Sequence, residues 1–206
     1  MSRYIGPRLR VARRLGGCEL PGLVVPRELR RPYPPGQHGP TQRIKLSDFA
    51  IRLREKQKLR AHYGVGERQI RRYMVMAKRQ KGNTGESLLA ILESRLDNVV
   101  FRLGFARTIR AARQMVNHGH INVNGDRCDV PSILLRPGDV VQVRGNSKHK
   151  NRVAEEIAGP VLLPIPSYLE RDDGQLAGTF KSVPEHSDCP LAINEALVVE
   201  LYAVSL

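Results

Sequence analysis

The sequence predicts an α+β chain that is mainly α, preceded by an extended basic arm. Three observations carry this reading. Apolar residues recur at helical spacing through three successive segments between residues 47 and 103. The pair Asn124-Gly125 stands between the short runs "HINV" and "DRCDV", the pattern of a two-residue β-hairpin. Proline and glycine crowd "ELPGLVVPRELRRPYPPGQHGPTQ", which excludes long helices and favours turns or polyproline geometry.

Taken in order, residues 1–46 form the arm, expected to be ordered only against a partner. Ser47 caps a helix running to Tyr63, with Phe49, Leu53, Leu59 and Tyr63 on one face and Arg52, Arg54, Lys56, Lys58 and Arg60 elsewhere; Gly64 stops it. A second helix spans Glu67 to Gln80, its stripe made by Ile70, Tyr73, Met74 and Ala77. After "KGNTGES" a third runs from Glu86 to Leu103 on Leu88, Leu89, Leu92, Leu96, Val99, Val100 and Leu103, ending at Gly104. Thr108 caps a short helix through Asn117, closed by Gly119. The hairpin follows, then an "RPGD" turn, a strand from Val140 to Arg144 and a helix from Asn151 to Ala158. The final "EALVVELYAVSL" reads as a strand with flanking loops.

Charge narrows the partner. Among 206 residues, 34 Lys and Arg face 20 acids, a net charge of +14. Residues 1–150 hold 31 of the bases and 11 acids; residues 151–206 hold 3 and 9. So large a positive field opposes compaction unless a polyanion neutralises it, which points to nucleic acid. A membrane surface would attract the same charge, but no apolar run approaches the roughly 18–20 residues that span a bilayer. The opening "MSRYIGPRLRVARRLGG" lacks the apolar centre of a secretory signal, and its Gly and Pro break the amphipathicity of a transit peptide. Cys18, Cys128 and Cys189 are odd in number and widely spaced, which suggests a reducing compartment and no disulfide framework.

The spacing of the basic residues then defines a candidate surface. Arg110, Arg113 and Asn117 fall on one helical face, while Ile109, Ala112 and Val116, one residue earlier, turn to the core. The Thr108 helix start, with its unpaired backbone N–H groups and Arg107 beside it, suits a phosphate. Pairing across the two-residue turn sets Asn122 opposite Arg127 on one face of the hairpin, and Ile121 opposite Cys128 on the other. Outward arginines on a helix are ordinarily just a solvated face. Here the charge background, the capped start and the adjoining hairpin argue instead for a rigid surface suited to RNA backbone and 2′-OH contacts. A DNA-binding regulator would concentrate its charge on one recognition helix and dimerise, whereas this chain spreads it over an arm and several helices.

"LESRLDNVVFRLGFARTIRAARQMV" followed by "NHGHINVNGDRCDVPSILLRPGDVVQV" resembles the RNA-binding module named after ribosomal protein S-four, over residues 92–143. The flanks "RYIGPRLRVARRLG", "RPYPPGQHG", "KLSDFAIRLREKQKLRAHYGVGERQIRRYM" and "INEALVVELYAV" resemble the bacterial and plastid branch of the small-subunit ribosomal protein S-four family, and "RPYPPGQHG" in particular resembles its cyanobacterial and chloroplast members. The resemblance implies a helical lobe of residues 47–91 and 160–206, with a module of two helices and a small antiparallel sheet, residues 92–159, inserted in it. It implies a primary binder of small-subunit ribosomal RNA that nucleates assembly of the subunit body and influences decoding accuracy. Its partners would be that RNA, ribosomal protein S-five and messenger RNA at the entry channel, in the cytoplasm or, if organelle-encoded, the plastid stroma. By position it makes Arg95, Arg102, Arg107, Arg110, Arg113, His118 and Asn124 RNA contacts, with Arg8, Arg13, Arg14, Lys45 and Arg72 in the arm and lobe.

Some members of that family hold zinc with four cysteines in the arm. Here the arm has Cys18 alone, with His38 the nearest other soft ligand, so no zinc and no cofactor are expected. The rival reading is an RNA-modifying enzyme carrying the same module. "SRLD", residues 94–97, resembles the segment of pseudouridine synthases whose aspartate is catalytic. However, Asn98-Val99-Val100 continue a helix where those enzymes have small hydroxyl residues and Gly. "GVGERQ" lacks the third glycine of a dinucleotide loop. His118 and His120 have no carboxylate placed beside them by a readable motif. Binding without chemistry is the expectation.

Overall fold

The computed structural model describes residues 6–16, 20–23, 31–41, 45–160 and 163–203. They form two compact units, one gathering the chain up to residue 88 with residues from 191 onward, the other holding residues 89–190.

The first unit is helical. A short helix α1 (Arg8–Arg14) lies in the basic arm, which is therefore not extended throughout. Arg13 Nε donates to the Tyr33 carbonyl (2.9 Å) and its guanidinium lies 5.1 Å from the centre of that tyrosine ring. Leu15, Leu20 and Leu23 are buried, and the Gly22 N–H donates to His62 Nδ1 at 3.3 Å, so these arm residues pack on the chain itself. Cys18 lies outside the described residues; His38 is exposed. Helix α2 (Asp48–Tyr63) starts where Ser47 Oγ accepts from the Ala50 N–H and stops at Gly64, whose φ of 61° is left-handed. Leu59 and Tyr63 are buried as expected, but Phe49 is 62% exposed. It sits in the first turn of the helix. In α3 (Glu67–Arg79) all four expected core residues are buried.

The residues read as a terminal strand form instead a helix, α8 (Glu195–Ala203), packed on α2. Asn194 Oδ1 accepts from the Ala196 N–H (3.1 Å), and Val198 and Tyr202, four apart, are buried. Tyr202 Oη donates to Glu67 Oε1 (2.8 Å), which also binds Lys56 Nζ at 3.1 Å. Burial pushes the Glu67 carboxyl up, but these hydrogen bonds and the nearby Lys56 and Arg60 outweigh it and leave it below the ordinary carboxylate value.

The helix expected over residues 86–103 is broken into α4 (Thr84–Glu93) and α5 (Leu96–Arg102). Ser94 Oγ donates back to the Ala90 carbonyl (2.7 Å), and Arg95 is extended. The Leu96 and Asp97 N–H groups then donate to the Ile133 and Pro131 carbonyls, so a distant loop satisfies the donors that a continuous helix would have used internally. Helix α6 (Ile109–Asn117) packs on α5 and buries Ile109, Ala112, Met115 and Val116.

Against these helices lies an antiparallel sheet of order β2-β1-β3-β5-β4. β1 (Ile121–Val123) and β2 (Asp126–Cys128) pair in the expected register, Ile121 with Cys128 and Asn122 with Arg127. Asn124 and Gly125 both have positive φ, 52° and 90°, as a type I′ turn requires. β3 (Val140–Val143) buries Val141 and Val143 and exposes Val140. It is followed by α7 (Lys150–Ala158) and a second hairpin, β4 (Leu169–Asp172) and β5 (Ala177–Phe180). That hairpin, in residues expected to serve the helical lobe, pairs with β3 and completes the sheet. A Cβ on Gly178 would stand 2.4 Å from Leu103 Cδ2, so only glycine lets the strand approach α5 so closely.

Candidate nucleic-acid interface

The residues expected to face a ligand divide into two groups. The first is enclosed. Asp97, with no exposed side-chain surface, accepts two hydrogen bonds from Arg95 (3.0 and 2.7 Å) and one from Arg113 Nε (2.9 Å). Arg95 is 4% exposed and Arg113 13%. Both were expected to grip RNA; both instead neutralise a buried carboxylate. Arg102 is buried as well, its Nη2 donating to the Asp188 carbonyl at 2.8 Å. It approaches Glu93 Oε2, which accepts from Tyr168 Oη and Asn98 Nδ2, each at 2.7 Å. Burial, reinforced by the Glu93 carboxylate, holds the Tyr168 hydroxyl well above its ordinary value, so it serves as a donor. Asn124 is exposed but committed: its Nδ2 donates to Asp139 Oδ1 and its Oδ1 accepts from the Val140 N–H, both 2.8 Å, fastening the hairpin turn to the start of β3.

The second group gathers along α6 and its two ends. Thr108 Oγ1 accepts from the Ala111 N–H and fixes the helix start, beside exposed Arg107. Arg110 lies half-buried in the first turn. At the other end His118 is exposed, and the Arg127 guanidinium lies against Gly119, where a Cβ would run into it. Asn122, paired with Arg127, donates to the Gly125 carbonyl at 3.2 Å. Of the remaining expected contacts, Arg8 and Arg14 are exposed on α1, Lys45 precedes α2 and Arg72 is exposed on α3, all in the first unit, whereas Arg13 is tied to Tyr33 and Pro34.

Sequence reasoning missed the contribution of the segment after β3. Arg144 is exposed; its N–H donates to the His120 carbonyl at 2.9 Å. His149 stacks edge-on to His120, ring centres 4.5 Å apart and planes at 73°, and the His118 ring is 6.1 Å from His120. Ser147 Oγ lies 3.1 Å from His120 Nδ1 and accepts from the His149 N–H. Burial pushes the His120 imidazole below its ordinary value, as do the neighbouring His149 and His118 rings and the Arg144 and Arg127 guanidinium groups. The signal was present in "RGNSKHKNR", residues 144–152, a basic run directly after a strand. Acids of the terminal third are engaged within the chain: Glu170 with Lys181 at 3.0 Å, Asp173 with Arg171, Asp172 capping the β4–β5 turn and Asp188 accepting from Ser167.

A helix pair packed on a short antiparallel sheet, its open edge set with arginine and histidine, defines a domain of the S4 class, and the S4 domain profile matches residues 94–141. The profile of the Ribosomal protein S4/S9 N-terminal domain matches residues 3–93. The chain is 55% identical over 203 residues to the small ribosomal subunit protein uS4 of Rippkaea orientalis, 53% identical over 205 residues to that of Thermosynechococcus vestitus and 53% over 203 residues to that of Synechocystis sp., in each case across 98% of both chains. The chain belongs to the small ribosomal subunit protein uS4 family.

Proposed function

We propose that this protein is a structural constituent of the small ribosomal subunit that binds small-subunit ribosomal RNA through the α6 edge of its S4 domain and the basic face of its first unit. The carrying observation is the division of labour among the arginines. Those facing inward neutralise Asp97 and Glu93, while Arg107, Arg110, His118, Asn122 and Arg127 line a rigid helix and hairpin at the surface. Rigid elements hold cations at fixed spacing, which suits the backbone geometry of a folded RNA. Arg8, Arg14, Lys45 and Arg72 add charge in the first unit. Family membership supports nucleation of body assembly, a contribution to decoding accuracy, and contact with ribosomal protein S-five and with messenger RNA at the entry channel. It supports a place in cytoplasmic or plastid ribosomes; among the described residues no helix is long and apolar enough to cross a membrane.

The enzyme reading is set aside. The aspartate of "SRLD" is Asp97, sealed between two arginines and unable to meet a base.

Binding of the full chain to protein-free small-subunit ribosomal RNA, against large-subunit RNA and duplex DNA over a salt series, tests the proposal. A preference for the small-subunit RNA that persists at high salt is expected. Arg107→Glu with Arg110→Glu should weaken binding at least tenfold and lower the salt slope by roughly one for each phosphate no longer neutralised. Equal binding of all three nucleic acids would overturn the assignment.

A further inference from the structure

Between α6 and α7 lies an open cleft of about 110 Å³. Its floor is apolar, made by Phe105, Met115 and Val153, and its wall is the three rings of His118, His120 and His149. We propose that this cleft receives one unpaired, unstacked nucleotide of the bound RNA, its base against the histidine rings and its phosphate toward Arg107 and Arg152. The proposal rests on the RNA-binding reading and names what that surface selects.

Four features support it. The cleft has room for a single planar heterocycle, not for a paired duplex. Its walls are aromatic, and unstacked bases are held by stacking on aromatic faces, histidine included. The rings are fixed in advance: Ser147, itself buried, joins His120 Nδ1 to the His149 backbone, and the two rings stand nearly perpendicular. A base on one face therefore meets the edge of the other. Finally, the cleft continues into a second one lined by Arg107, Arg152, Glu155 and Glu156, with Arg152 and Glu156 shared by both.

The carboxylate has a role in this arrangement. Glu156 is 10% exposed and held by Arg152 at 3.1 Å. It offers an acceptor to an amino or ring N–H group on the base edge, and Arg152 keeps its charge from repelling the phosphate beyond. Burial and the groups around it disfavour the charged form of His120, which suits the ring to stacking on a base. The cluster is not a metal site: among the described residues no group of His, Cys, Asp or Glu is placed to hold an ion.

The test uses the full chain on protein-free small-subunit ribosomal RNA, read by base-specific chemical modification and by affinity over a salt series. His149→Ala removes one wall and Ala111→Phe fills the cleft; thermal melting checks that both variants fold. In the wild-type complex one nucleotide outside the helices should be protected. Both variants should expose that same nucleotide and bind on the order of tenfold more weakly, with the salt slope unchanged because the phosphate-facing arginines remain. Wild-type protection and affinity in both folded variants would overturn the proposal and leave the cleft to a protein side chain. If the wild-type chain showed no preference for small-subunit RNA, the binding reading itself would fail, and this proposal with it.

Discussion

Asp97 shows how one residue can organise a surface it never reaches. With no exposure, it holds Arg95 at the start of α5 and Arg113 in the middle of α6, and so sets the two helices against each other. With a neutral amide in its place, the two enclosed guanidinium groups would lose the carboxylate that both of them bind. Asp97→Asn should therefore destabilise the second unit by about 3–5 kcal/mol, read as a fall in the denaturant midpoint. A loss below about 1 kcal/mol would mean the pairing is incidental. The same geometry makes Arg113 a poor target for probing RNA contacts, since its removal injures the fold first. His120 offers a pH signature. The unfolded ring titrates near 6.5, and the folded value is lower through burial and the cations around it. Between those values the unfolded chain binds more protons, so stability should fall as pH drops below about 6.5. His120→Gln should flatten that part of a plot of melting temperature against pH; an unaltered slope would exclude the ring as its source.

Among the elements, the legible ones were those whose causes are local. Ser47, Thr108 and the Asn124-Gly125 pair act within four residues of themselves, and each boundary they define stands where the sequence places it. The elements that escaped depend on distant chain. The break at Ser94-Arg95 needs carbonyls from residues 131–133, and the inward turn of Arg102 needs the carbonyl of Asp188. β4 and β5 had a readable turn in "DDGQ", where Asp172 Oδ1 accepts from the Gly174 and Gln175 N–H groups, but their pairing with β3 is set by packing. Valine and leucine made α8 look like a strand, although Asn194 and the Val198/Tyr202 spacing marked a helix. The sheet's fit on α5 turns on Gly178. Gly178→Ala forces a methyl into Leu103 and should cost about 1–3 kcal/mol. Leu103→Val in the same chain should recover part of that loss in a double-mutant cycle; strict additivity would show that the two residues do not press on each other.

At the scale of the whole molecule, charge and fold divide the chain differently. The net positive field belongs to residues 1–150, whereas the second unit runs on to residue 190 and takes the acidic β4–β5 hairpin into the same sheet as β1–β3. The hairpin's acids are offset within the hairpin and its surroundings, by Arg171 and Lys181 among others, which leaves the α6 edge basic. This is why composition pointed to a partner class without showing that Arg95, Arg102 and Arg113 are enclosed: net charge reports what a surface attracts, and only packing reports which arginines reach it.

The placement of α8 carries a consequence for how the protein is made. The first unit is interrupted after residue 88 and resumes at residue 191, and α2 packs chiefly on α8. In a nascent chain emerging in order, the residues of the S4-bearing unit all leave the ribosome before α8 does. The lobe whose synthesis starts earlier is thus the later to reach its native packing. Until then α2 lacks the helix it packs on most extensively, and with it the Arg52–Glu200 ion pair and the Asn194 contact to Glu55.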